Sequence, residues 1–250
     1  MMGAIAGREL RGLLWSPLAW TLLAVVQAWL AWIFLILLDE FGALQGRLVG
    51  LEHAPGVTDL VAAPLFRVAA WCLLMLTPLL TMRLFSEERR NRTLDLLLSS
   101  PVTITAMVLG KYLAVLVFLL GLSALVALMP LSLAAGATLD FGKLAAGVLG
   151  LSLLAMSFTA AGLYFSTLTA QPAVAAVATL GLLLFLSVID AASVGRQGAG
   201  ELFRYLSLFR HYDALLLGLF DSADVAYYLL LSVAFLGLAI RRLHDGRLRD

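Results

Sequence analysis

The charged chemistry of this sequence is concentrated in one stretch. Between Arg83 and Thr105 the chain reads RLFSEERRNRTLDLLLSSPVTIT and carries Arg83, Glu87, Glu88, Arg89, Arg90, Arg92 and Asp95. Side chains of these types at this spacing offer ion pairing and docking rather than bond making. Ser86 suits a helix N-cap, and Glu87 and Glu88 then fall in the first turn, where the helix dipole favours anions. Glu88 stands four residues before Arg92, the favourable order for an i,i+4 pair. Leu94, Leu97 and Leu98 recur at helical spacing, while Thr93 and Asp95 point elsewhere. The pattern predicts an amphipathic helix over 86–99, with Ser100-Pro101 capping and opening the next helix.

Other chemistry is absent. The sequence contains no GxxxxGK[ST], HExxH, CxxC or GxSxG pattern. His53, His211 and His244 lie far apart and outside the apolar runs, so no metal site is expected. Cys72 is the single cysteine and forms no internal disulfide. No paired acids stand at membrane depth, and Asp190 is the one acid near the end of a span. The chain is therefore not expected to be an enzyme, and energy for any driven work must come from a partner.

The elements that position the charged stretch are apolar. The 250 residues are 62% hydrophobic and 13% charged, about half the charge of an ordinary soluble domain. Mean hydropathy is +0.99. A net charge of +1 gives no reason to expect nucleic acid. The fold class is an all-α integral membrane protein in one domain, with the lipid bilayer as its solvent. Residues 2–15 alternate Ile5, Leu10 and Leu13 with Arg8, Glu9 and Arg11, as an interfacial helix does, and Trp15 suits the headgroup level. The apolar run that follows is too long for a signal peptide, so no cleaved leader is expected. Six spans are expected, over 17–38, 62–82, 106–133, 144–168, 173–189 and 225–240, on the basis that a bilayer core needs about 20 residues. The region 39–59 reads as a loop that can hold a short helix, and 190–224 as short helices or a re-entrant segment at the outer face.

Within the spans, Gln27 either lines a pathway or hydrogen-bonds a neighbouring helix. Gly147, Gly150, Gly162, Ser157 and Thr159 give the fourth span a small-residue face, and Ala175 and Ala176 do so for the fifth. Such faces let helices approach closely or line a path between them. Six spans put both termini on one side, and the larger share of Arg and Lys lies there, so the termini and the 86–99 segment are expected in the cytoplasm.

The ordered residues resemble a known pattern. SEERRNRTLDLLLSSPVT is similar to the first cytoplasmic loop of ABC-2 type transporter permeases, E-E-[KR]-x-x-G-T-[LI]-E-x-L-L-x-x-P-[VI]. Glu87, Glu88, Arg89, Thr93, Leu94, Leu97, Leu98, Pro101 and Val102 match it; Asp95 replaces the usual glutamate and Arg92 the usual glycine. RELRGLLWSPLAW, LGKYLAVLVF, GLYFSTLTAQPAVAAV and the stretch from Tyr205 to Leu243 resemble the gliding-motility and multicopper-enzyme-maturation subgroup. The resemblance implies a permease of the bacterial inner membrane that works as a homodimer and exports a substrate. It also implies a separate ATPase that binds ATP and Mg, and a coupling helix, 86–99, seated on it. No cofactor is implied for this chain. An alternative is mechanotransmission, in which ATPase motion is relayed to an extracytoplasmic accessory protein with no substrate moved.

Overall fold

The computed structural model describes residues 2–48, 55–93, 102–189, 203 and 205–247, and among these every regular element is a helix. Helix α1, Met2–Trp15, covers the segment over which a helix was expected. It lies along α5, Ile104–Leu131, at a close approach: a Cβ on Gly110 would come within 2.8 Å of Ile5 Cγ2. Ser16 breaks the chain, and α2, Pro17–Leu48, departs with proline at its first position. Trp20 Nε1 donates to the Leu14 carbonyl at 2.5 Å and braces this corner.

Helix α2 runs ten residues beyond the span expected over 17–38. Glu40 is a good helix former and the weaker Asp39 is tolerated, so 39–48 continues α2 rather than forming a loop with a separate short helix. A π-helical turn, Thr58–Ala62, leads directly into α3, Ala63–Thr81. The second apolar helix thus starts before residue 62, and Arg67 sits inside it, paired with Asp213 at 2.7 Å. Helix α5 begins at Ile104, where Thr103 Oγ1 accepts from Ala106 N at 3.3 Å. The restart expected at Ser100-Pro101 falls outside the described residues.

Helix α6, Phe141–Leu168, is central and packs on α3, α5, α7 (Pro172–Val188) and α9 (Ser222–Arg247). Its N-cap is Asp140, whose carboxylate accepts from Gly142 N and Lys143 N. Small residues set its spacing to its neighbours. A Cβ on Gly150 would meet the Tyr212 ring at 2.8 Å, one on Gly147 the Phe66 ring at 2.5 Å, and one on Gly162 would overlap Thr81. Helix α7, Pro172–Val188, follows the tight turn at 169–171. Helix α8, Leu208–Leu216, lies within the 190–224 segment. Tyr212 fixes it by donating to the Phe66 carbonyl at 2.9 Å, and burial pushes that phenol well above its usual range, so it stays a neutral donor. His211 bridges the Asp224 carboxylate, at 2.6 Å, and the Tyr205 carbonyl, at 2.7 Å. Helix α9, Ser222–Arg247, takes in most of the tail expected after residue 240.

Among the described residues, five helical stretches are long and apolar enough to cross a membrane: Pro17–Leu44, Thr58–Arg90, Ile104–Ala135, Phe141–Leu168 and Ser222–Asp245. Helix α7 is apolar but has 17 residues. At a 1.5 Å rise it spans about 25 Å, short of a bilayer core of about 30 Å.

Candidate functional site: the charged turn between α3 and α5

Helix α4, Ser86–Arg90, carries the charged stretch. The continuous helix expected over 86–99 is interrupted after one and a half turns. Arg92 N donates to the Arg89 carbonyl at 3.3 Å and Thr93 N to the Glu88 carbonyl at 2.9 Å. That pair of bonds is a Schellman closure, and it demands a left-handed residue at the position of Arg92. Arg92 adopts it, with φ +55°, and is the one non-glycine at positive φ among the described residues. Helix α8 closes by the same two bonds, from Gly218 and Leu219, with Gly218 at φ +80°. A sharp turn is therefore present at Arg92, and the glycine of the resembling pattern coincides with a left-handed C-terminal position.

Two further expectations change. Ser86 is the first helical residue rather than the N-cap; it is buried, and its hydroxyl bonds back to the Met82 carbonyl. The chain enters α4 through a turn already helical in sense, so Phe85 takes the cap position with no side-chain bond. Glu88 does not pair with Arg92, because the left-handed turn takes Arg92 off the helix face. Glu88 Oε1 instead meets Lys111 Nζ at 2.8 Å.

Lys111 is the hub of the site. It lies in the second turn of α5 with its side chain 3% exposed, and it also pairs with Glu9 Oε1 of α1 at 3.1 Å. The Phe85 ring lies 5.2 Å from the ammonium, within cation–π range. One cation thus holds two carboxylates from two other elements, and Glu88 Oε2 is buried without a partner among the described residues. Beside this cluster is a cavity of about 320 Å³ bordered by Leu13, Leu80 and Leu84. Arg89 makes the second anchor. It donates to the Thr167 carbonyl at 2.9 Å, one of the last four carbonyls of α6, which have no partner within the helix. Glu87 is exposed, and Thr93 Oγ1 donates to the Glu88 carbonyl at 3.2 Å. The first turn of the charged stretch is thereby joined to α1, α5 and α6.

Sequence reasoning missed Lys111 as a site residue. Its signal was present: a lone lysine inside the apolar run ITAMVLGKYLAVLVF needs a partner, and Glu9 and Glu88 were both available. Leu94, Asp95, Leu97, Leu98 and Pro101 lie outside the described residues.

The candidate pathway or interface residues lie elsewhere. Gln27 Nε2 donates to the Leu122 carbonyl at 3.2 Å and ties α2 to α5. Ser157 bonds the Leu153 and Leu154 carbonyls of its own helix, and Thr159 is buried with its hydroxyl unpartnered. Ala175 is buried in the bundle and Ala176 half-buried. These residues are not gathered around one cavity with the charged turn. Among the described residues no cluster of His, Cys, Asp and Glu could hold a metal.

Residues 52–240 match the family described as ABC-2 family transporter protein, which is well over half of the chain. No curated protein matches the chain. Proteins of this family are membrane subunits that are not themselves catalytic and typically work with an ABC ATPase. With its helical, multi-span, membrane-embedded architecture and this match, the chain belongs to the ABC-2 transporter family, as a permease subunit of an ABC transporter.

Proposed function

We propose that this permease is an exporter whose power stroke enters through residues 86–99, delivered by a separate ATPase that binds ATP and Mg in the cytoplasm. The observation that supports this most is the attachment of α4. The Lys111 cluster and the Arg89 cap tie its single turn to three helices, so a force applied there is shared by α1, α5 and α6 at once. Glu87, Thr93, Leu94 and Asp95 are the surface offered to the ATPase in this account, and Leu97, Leu98 and Pro101 complete the segment.

Six crossings, with α7 as the short sixth, place both termini in the cytoplasm of a bacterial cell, in keeping with the excess of basic residues on that side. A second copy of the chain completes the permease. Val177 and Phe185, 71% and 61% exposed on α7, leave room for that contact or for lipid. The subgroup resemblance to gliding-motility and copper-enzyme-maturation permeases belongs to the same proposal.

Mechanotransmission is the second reading. It is favoured by the fastening of α8, where Arg67–Asp213, Tyr212–Phe66 and His211–Asp224 lock the far end to α3 and α9. A bundle secured at both ends conveys movement along its length. Sealed vesicles holding the permease and its co-purifying ATPase separate the two. Export predicts ATP-dependent loss of a candidate substrate from the cytoplasmic side. ATP hydrolysis with no translocation, together with co-purification of an extracytoplasmic protein, contradicts export and supports the relay.

A further inference from the structure

We propose that the arginine-lined groove between α4 and α7 binds the phosphate headgroup of an anionic phospholipid. The groove is an open depression of about 1040 Å³. Arg83, Arg89, Arg90 and Arg92 line it against a single acid, Glu87. Arg89 is engaged with Thr167, but Arg83, Arg90 and Arg92 are exposed and in no ion pair among the described residues. The far wall is the start of α7, where Gln171 provides no side-chain cap, so the positive end of a 17-residue helix faces the same space.

Two features choose a lipid over a soluble anion, and a third fits its phosphate. The groove lies where two apolar helical stretches end, the depth at which headgroups sit. Leu168, Val174 and Val177, 38%, 49% and 71% exposed, continue from it along α6 and α7 and offer a track for acyl chains. Arginine forks match phosphate oxygens in geometry as well as charge, and basic pockets between membrane helices take lipid headgroups by this chemistry. Glu87, Arg89, Arg90 and Arg92 belong to the 86–99 segment as well, so lipid binding is measured on the permease alone, apart from any ATPase.

The test titrates the full chain in neutral detergent with a fluorescent phosphatidylglycerol. Phosphatidylcholine of the same chains and inorganic phosphate are the comparison probes. Saturable binding is expected for phosphatidylglycerol only. Arg92→Gly should weaken it about fivefold, and Arg83→Gln with Arg90→Gln about 25-fold. The Arg92→Gly variant guards against misfolding, because glycine suits its left-handed turn, and its unfolding temperature without lipid should not fall. Equal binding of phosphatidylcholine overturns the proposal, as does undiminished binding of phosphatidylglycerol by the folded variants. Displacement of the lipid by millimolar phosphate also overturns it, by making the groove a site for small anions.

Discussion

Arg92 shows most clearly what a single residue contributes. A left-handed conformation costs an L-residue about 1–2 kcal/mol, and glycine escapes that cost. The chain uses glycine for this turn at Gly218 and arginine at Arg92, with the same pair of closing bonds. Arg92→Gly is therefore expected to stabilise the protein by about 0.5–1 kcal/mol, after the greater freedom of glycine in the unfolded chain is subtracted. Thermal unfolding in detergent measures this, and a lower midpoint for the variant contradicts it. The departure at Arg92 was legible in the sequence; its conformation was not. A left-handed turn at that position depends on where α4 ends, and the run from Glu87 to Leu98 gives no helix stop such as glycine or proline.

At the scale of elements, helical periodicity located the long helices, while polar residues misplaced their ends. Asp39 and Glu40 looked like a loop and continue α2. Local propensity does not distinguish a polar helical extension beyond the membrane from a turn. The small residues of the fourth span were more informative, because glycine where a helix must approach a ring or a threonine has a steric meaning. Long-range pairing was not legible: Glu9, Glu88 and Lys111 are brought together only by the packing of α1 and α4 against α5.

This junction carries a prediction. Lys111→Met removes the one cation shared by two carboxylates that are each less than a quarter exposed. Breaking a buried pair in this way costs about 3 kcal/mol. The loss should appear first as faster hydrogen exchange in residues 2–15, as α1 loosens from α5. Unchanged protection of α1 would show that apolar contacts such as Ile5 on Gly110 hold it unaided.

For the whole molecule, α6 is the shaft. The charged turn is fixed near its C-terminal end through Arg89 and Thr167. Helix α8 is fixed near its other end, where Gly150 admits Tyr212. A displacement at one end therefore has a packed route to the other, and either export or relay uses that route. In both readings the ATPase acts through residues 86–99, so that claim is central. The most direct measurement is the ATP hydrolysis and transport, or partner response, of the reconstituted permease–ATPase complex, wild type against Leu94→Arg and Asp95→Lys. The account predicts folded variants in which hydrolysis no longer drives the permease. Full complex formation with full ATP-driven activity in either variant would contradict it.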